Sequence, residues 1–444
     1  ETRFEEFRSA KLLCDALEEE GFTVERGVAG LKTGFIASFG EGSPVIGVLG
    51  EYDALAGLSQ KAGSKSYDPV LPQGNGHGCG HNLLGVGSLA AVIAIKDYMW
   101  EHDLSGTVKY FGCPAEESGY GKAFMAREGL FDSVDVAYSW HPGTVNAVMH
   151  ATSNAVIHAH FKFRGRSAHA AAAPHLGRSA LDAVELMNIG VNYMREHMVD
   201  GARVHYAVTN TGGIAPNVVQ EEAEVTYLIR AQNPNQVQNL YQRVVDIARG
   251  SALMTQTRME HQIEGSCHNL IPNSTLERVM HHHMEKLGFP KVNDEDIEFT
   301  KAMYSSFTDK EKETAHAQFS KQLSSQMIER PIADDVLPYS DNLTFLGGST
   351  DVADVSWNVP TAQCVTSTWA FATPFHTWQV VAQGKQNYAH QAMLLAGKSL
   401  ACTAIETMQD KELIEKARVE LLERLDGETY DSLPPENVQP PRKS

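Results

Sequence analysis

The sequence predicts an α/β protein in two domains, the first built on a mainly parallel sheet and interrupted by a smaller α+β insert. Three observations point there. Strand-like and helix-like runs alternate over the first third of the chain, the pattern that lays strands in parallel. From about Ser153 the texture changes to the β-α-β-β-α-β order of a ferredoxin-like unit. The 444 residues, 42% of them hydrophobic, also exceed the ~250–300 at which single cores stop growing. The expected boundaries are 1–152 with 268–444 for the discontinuous first domain, and 153–267 for the insert.

Pro44 to Leu49 reads as a buried strand ending at Gly50-Glu51-Tyr52-Asp53. Asn82 to Tyr98 is apolar nearly all round, so it reads as a buried helix with Cys79 and His81 at its N-terminus. Unpaired amides and the helix dipole there should favour a thiolate. Thr107 to Cys113 is a second strand, ending at Pro114-Ala115-Glu116-Glu117, and Val134 to Trp140 a third, ending at His141-Pro142. In open α/β sheets ligands bind beyond the carboxyl ends of the strands, where Asp53, Glu116, Glu117 and His141 all fall. In the insert, Asn154–Gly165, Ala202–Asn210 and Glu222–Arg230 read as strands, and Ser179–Glu196 and Pro234–Met254 as helices. Asp309–Arg330 is a polar surface excursion or helix, and the Pro- and acid-rich Leu425–Ser444 is expected to be poorly ordered or draped on the surface. His281-His282-His283 points three ways on a helix and so reads as a solvated face.

Charge and cysteine usage narrow the partners. With 37 basic and 55 acidic side chains the formal net charge is −18, which repels nucleic-acid phosphate and anionic membranes and leaves a small molecule as the expected partner. An acidic substrate would then need local arginines. The 6 cysteines are scattered through the chain, unlike a disulfide framework, so a reducing cytoplasm fits. No apolar run is expected to reach the ~18 residues of a membrane span, and no signal-peptide pattern stands at Glu1.

Cys79-Gly80-His81, inside Gln73-Gly74-Asn75-Gly76-His77-Gly78-Cys79-Gly80-His81-Asn82, is the most informative stretch. An isolated Cys-x-His is more often a buried cysteine beside a loop histidine. The downstream Glu116-Glu117 tips the reading toward a metal site, because thiolate, imidazole and carboxylate all bind borderline metals. The expected ligands to two divalent ions are Cys79, His81, Glu117, His141 and one group from the C-terminal half. His376, in Thr373-Pro374-Phe375-His376-Thr377-Trp378, is the choice, with an aromatic-core histidine equally open. Such a pair polarises a carbonyl and activates water at neutral pH, and Glu116 would be the general base that passes the proton to a leaving amine. Asp53 reads as orienting a ligand through a hydrogen bond, and Glu51 has no clear assignment. In the insert, His169 and Asn217 could donate to an oxyanion, and Arg230 could clasp a carboxylate with two parallel bonds. Spacing alone favours ordinary capping, turn or salt-bridge roles for these three.

Longer motifs carry a resemblance. Gly50-Glu51-Tyr52-Asp53-Ala54-Leu55-Ala56-Gly57-Leu58, Asn75–Gly85, Ala168-His169-Ala170, Pro174–Val184, Pro216-Asn217-Val218-Val219-Gln220, Ser349-Thr350-Asp351-Val352 and His376-Thr377-Trp378-Gln379 resemble the M20 family of metallopeptidases and amidohydrolases. Within it the chain is similar to the Cys-containing branch, and there to the p-aminobenzoyl-glutamate hydrolase subgroup. The resemblance runs over almost the whole chain. It implies a catalytic domain with a metal pair, Mn(II) or Zn(II), and an inserted lid that also forms a homodimer, with a related subunit as the alternative. It maps ligation onto Cys79, His81, Glu117, His141 and His376 and the base onto Glu116, and makes His169, Asn217 and Arg230 substrate residues, with His169 able to serve the neighbour's site. Asn82 stands where the branch usually has Asp, and Thr350 where many members have an acid, although both fit the subgroup. Ala115 and Ser118-Gly119-Tyr120 leave the acyl preference open, and family members place a helix ahead of a segment like Glu1–Glu6, so a preceding segment is expected.

The expected function is hydrolysis of the amide of an N-acyl amino acid, with an aromatic acyl group on glutamate or aspartate. Alternatives are an indole-3-acetyl-aspartate hydrolase, a dipeptidase of the same family, or an inactive binding or partner subunit. All five ligands and the base are present, which weighs against the last.

Overall fold

The computed structural model describes residues 1–317, 327–436 and 438–440. The chain forms two compact units: Glu1–Ala151 with Ile271–Thr344 and Val355–Tyr430, and Thr152–Leu270 with Phe345–Asp354 and 431–444. The boundaries expected from the sequence do not assign Phe345–Asp354 or the tail to the second unit.

In the first unit the described residues form a seven-stranded sheet in the order Thr23–Arg26, Phe35–Glu41, Gly106–Cys113, Val45–Glu51, Val136–Gly143, Thr361–Ser367, Ala147–Val148. The four central strands, from Gly106–Cys113 to Thr361–Ser367, run parallel, and antiparallel strands finish both sides. Val48, Tyr110, Val136, Tyr138 and Cys364 are buried, as expected where helices cover a parallel sheet. The third expected strand is longer than the sequence suggested, so His141 lies within Val136–Gly143 and not in the loop beyond it.

The helix expected at Asn82–Tyr98 spans His81–Glu101. It is long and apolar enough, by length and composition, to cross a membrane, which corrects the expectation that no such run exists. Leu83, Leu84, Ala91, Val92 and Ile95 are instead spent on the core of this unit, together with the Asn387–Gln409 helix. Two glycines permit the close approach. A Cβ on Gly87 would stand 2.6 Å from the Trp140 indole, and one on Gly397 would stand 2.9 Å from the Gly87 carbonyl. Trp140 Nε1 donates to the Leu84 carbonyl at 3.0 Å, tying the strand that carries His141 to the helix that begins at His81.

The second unit is a four-stranded antiparallel sheet in the order Arg258–Cys267, Ala155–Arg164, Glu222–Ala231, Arg203–Asn210. Its period-2 burial places Phe161, Phe163, Tyr227 and Ile229 against the Ala180–Met194 and Pro234–Thr255 helices. Residues of the opposite parity carry charge, as in the Lys162–Glu224 pair at 2.9 Å. Side chains at both helix starts match the reading: Ser179 caps the amide of Asp182, and Asn233 that of Gln236.

The tail departs from expectation, since Leu433 is buried in the second unit's core and Val438 is also buried. Residues 437 and 441–444 of that tail lie outside the described residues, as do 318–326 of the polar stretch, which begins as the Asp309–His316 helix. His281 accepts from the Tyr339 amide while His283 pairs with Glu406 at 2.7 Å, so the histidine run does not converge.

Gly87→Ala forces a methyl group into the fully buried Trp140 indole. It is expected to lower the unfolding free energy by about 1–3 kcal/mol, measured by denaturant titration.

Candidate metal centre

The carboxyl ends of the central strands bring the expected donors together in the first unit. Gly80 caps the His81–Glu101 helix with φ +78°, and a Cβ there would lie 2.8 Å from Pro142 and 3.0 Å from Trp369. Only glycine therefore permits the turn that sets Cys79 and His81 beside His141. After the Gly106–Cys113 strand the chain folds tightly at Ala115, φ +57°, whose carbonyl accepts from the amides of Gly119 and Tyr120. His376 also has φ +58°, and its amide donates to the Gly78 carbonyl, joining the C-terminal loop to the Cys79 loop. Strained non-glycine residues at two corners of one cluster are typical of a site held by its surroundings.

The donor atoms form three overlapping groups: Cys79, His81 and His141; Cys79, Glu117 and His376; and Glu51, His81 and Glu116. Within each group the ligand atoms lie within 4.8 Å of one another. Cys79 Sγ is 3.4 Å from His141 Nε2, and His376 Nε2 is 3.3 Å from Glu117 Oε2. His141 Nδ1 is 2.7 Å from the Pro142 carbonyl, a contact in which only the ring can donate, so the Nε2 lone pair faces Cys79. His81 Nδ1 likewise faces Asp53 Oδ1 at 2.8 Å, while Asp53 Oδ2 accepts from the Glu117 amide at 3.0 Å. Buried Asp53 thus orients one expected ligand and anchors the backbone of another.

The electrostatics differ from the expectation at Cys79. Burial pushes its thiol well above the ordinary range, His81 opposes this, and Glu117 and Glu116 add to it. The helix end does not prevail, and a nearby cation is what would hold the thiolate. Burial also resists ionisation of Glu117, but the His376 hydrogen bond and the His81 charge outweigh it and hold the carboxyl at about 2. His141 is lowered by burial and then by the His81 charge, which favours the neutral, ligating form.

A metal fits these residues. Glu51 Oε2, His81 Nε2 and Glu117 Oε1 are buried and have no hydrogen-bond partner, and all three residues belong to the donor groups. Buried lone pairs without donors are costly unless a cation accepts them.

Sequence reasoning missed residues here. Glu51 closes the Val45–Glu51 strand with Oε2 3.2 Å from His81 Nε2, and its Oε1 is 2.7 Å from the Nζ of fully buried Lys122. Nothing in Gly121-Lys122 announces a buried lysine, since burial of a charge is decided by tertiary neighbours. Phe375 is half-exposed, its ring 5.9 Å from His141 and 5.0 Å from Trp369.

The remaining expected residues lie in the second unit. His169 Nδ1 accepts from the amides of Ala171 and Ala172, and the Ala170 amide donates to the Asn217 carbonyl, so the His169 and Asn217 loops are joined. Arg230 donates from Nη1 to Ser349 Oγ at 2.6 Å. It sits near the end of the Glu222–Ala231 strand, roughly 25 Å from Glu222 at about 3.3 Å per residue, whereas the Asn217 loop leads into the strand's start.

If Asp53 positions ligands, Asp53→Ala should fold yet bind metal about 10–100-fold more weakly, as read by equilibrium dialysis of the metal-stripped protein against Zn²⁺.

The chain is 47% identical over 447 aligned residues to a p-aminobenzoyl-glutamate hydrolase subunit of Escherichia coli, covering 99% of this chain and 93% of that protein. The fold matches the crystal structure of an aminobenzoyl-glutamate utilization protein from Klebsiella pneumoniae, with a TM-score of 0.58 at 16% identity over 91% of this chain and 92% of that one. It also matches a dinuclear metal-binding M20 peptidase from Bacillus subtilis, with a TM-score of 0.55 at 16% identity over 92% and 94% of the two chains. The predicted α/β class with its mainly parallel sheet is the observed one. With the family model matching residues 47–345, this chain belongs to peptidase family M20/M25/M40 and is a hydrolytic enzyme.

Proposed function

We propose that this chain is a two-metal amidohydrolase that cleaves the amide between an aromatic acyl group and an acidic amino acid, p-aminobenzoyl-glutamate first among them. The observation that carries the reading is the Cys79, His81, Glu117, His141 and His376 constellation, buried at Cys79 and His81 and open to solvent at His376, with Glu116 beside it. These five residues would hold two divalent ions, which supply Lewis acidity toward the amide carbonyl and toward water. Thiolate and imidazole favour Zn(II) by softness, and Mn(II) is the alternative.

The chain's own residues do the rest. Glu116 is partly exposed at the cluster, with Oε2 4.0 Å from His81 Nε2, and takes the proton of the attacking water and delivers it to the leaving amine. His169 and Asn217 donate hydrogen bonds to the oxyanion. Arg230 clasps a carboxylate of the leaving amino acid, which favours glutamate or aspartate over a basic residue and weighs against a dipeptidase of basic specificity. Phe375, beside His141, suits an aromatic acyl group. The strand-length separation of Arg230 from the His169 and Asn217 loops supports a homodimer formed through the second unit, in which two protomers complete each site. A related chain is the alternative partner, since the Escherichia coli relative is named as one subunit of its hydrolase. A buried Cys79 kept reduced suits the cytoplasm.

Metal-stripped protein resupplied with Mn²⁺ or Zn²⁺ should release glutamate from p-aminobenzoyl-glutamate faster than aspartate from indole-3-acetyl-aspartate. Glu116→Gln should abolish that release with its metal content intact, and loss of metal instead would mean that the two glutamates exchange roles. Arg230→Ala should raise KM for the acidic conjugate at least tenfold, roughly the worth of a charged hydrogen bond, with a smaller change for an amidated analogue; an unchanged KM removes Arg230 from substrate binding.

A further inference from the structure

Glu51 and Lys122 lie outside the ligand set expected from the sequence, yet both are built into the centre. Lys122 Nζ and Glu51 Oε1 are 2.7 Å apart, and neither side chain is more than 2% exposed. The second oxygen, Oε2, is turned the other way and stops 3.2 Å from His81 Nε2. With His81 Nδ1 on Asp53, Nε2 is the nitrogen left to ligate. No hydrogen bond joins Nε2 to Oε2, and both atoms are buried without a hydrogen-bond partner, in contact only as an ion pair. Two buried polar atoms 3.2 Å apart that share no hydrogen bond call for a positive charge between them, which a proton on His81 or a bound cation supplies. His81 also belongs to the donor group of Cys79 and His141, so one cation could satisfy both sets.

Building on the metal-centre reading above, we propose that Glu51 is a further protein ligand, giving Oε2 to the ion held by Cys79, His81 and His141, and that Lys122 anchors its other oxygen. The strand places Glu51 for this role. It is the last residue of Val45–Glu51, in register with Cys113 at the carboxyl edge of the parallel sheet. Lys122 arrives from the Gly121–Arg127 helix, which follows directly on the Glu116–Glu117 turn. Its ammonium offsets one negative charge in a pocket that already gathers a thiol and several carboxylates, so a further carboxylate can approach the ion. Lys122 is a positioning residue here, because it acts only through Glu51.

A ligating role and a purely structural role for this pair separate in a double substitution. Glu51→Leu with Lys122→Met removes both charges together and leaves neither buried alone, a change that folded proteins often tolerate. The wild-type protein and the double variant would be metal-stripped, checked for folding by thermal melting, and dialysed against Zn²⁺ alone, with bound zinc counted by mass spectrometry. The proposal expects two ions on the wild type and one on the double variant, or one class of site weakened at least tenfold. Two ions of unchanged affinity on the double variant would make the pair purely structural and overturn the proposal, leaving the metal-centre reading intact. No zinc on the folded wild type would overturn both. A measurement without substitution guards against a variant that fails to fold: in a crystal structure of the zinc-loaded wild type, Glu51 Oε2 should lie about 2.0–2.2 Å from an ion, and a separation beyond 3 Å would overturn the assignment.

Discussion

The structure of the first unit depends on how a crowd of buried acidic groups is made tolerable in an apolar interior. Glu51, Asp53 and Cys79 are buried at one sheet edge, and the Glu117 side chain is nearly so, away from solvent. Each uncompensated charge would cost several kcal/mol. The protein answers with an ordered set of donors: the Glu117 amide and His81 Nδ1 on Asp53, Lys122 on Glu51, and His376 on Glu117. The lone pairs still unsatisfied after these bonds face the same small space, which is why the cluster reads as a place for cations and not as an ordinary ion-pair network.

Secondary structure is arranged to serve that constraint. The parallel strands deliver Glu51 and His141 from within their last residues, and the loops after them deliver Asp53, Glu116 and Glu117. Close helix packing at Gly87 and Gly397 keeps Trp140 fixed against the His81–Glu101 helix, so the spacing of His81 and His141 is set by core packing and not by a flexible loop. Precision at the centre therefore comes from the most rigid part of the unit. The second unit follows a different logic. Its sheet keeps one apolar face under two helices, and its candidate substrate residues lie on loops and at strand ends, His169 and Asn217 at one end and Arg230 at the other.

Much of this was legible because its signals are local. Alternation of apolar runs located the strands and their carboxyl ends, and a thiol, an imidazole and two carboxylates at those ends named a metal-binding chemistry. Burial was the weak point, since it is a property of neighbours distant in sequence. The His81–Glu101 helix reads as buried from its all-round apolarity, but its length and composition, enough to cross a membrane, went against expectation. The thiol of Cys79 was expected to be acidified by its helix, yet burial and the two glutamates prevail. Leu433 sits in a tail whose composition suggests solvent, yet its side chain joins a core.

By itself the sequence determined the fold class, the alternation of strands with helices, and the inventory of donors, because periodicity and residue chemistry are carried by short segments. The tertiary structure alone decided which lone pair each donor presents. His141 shows Nε2 to Cys79 because the Pro142 carbonyl takes Nδ1, and His81 shows Nε2 to Glu51 because Asp53 takes its Nδ1. Glu51 and Lys122 are 71 positions apart in the chain and meet only when strand and helix pack. Orientation and charge balance in a low-dielectric interior are sums over many distant groups, and no local pattern records them.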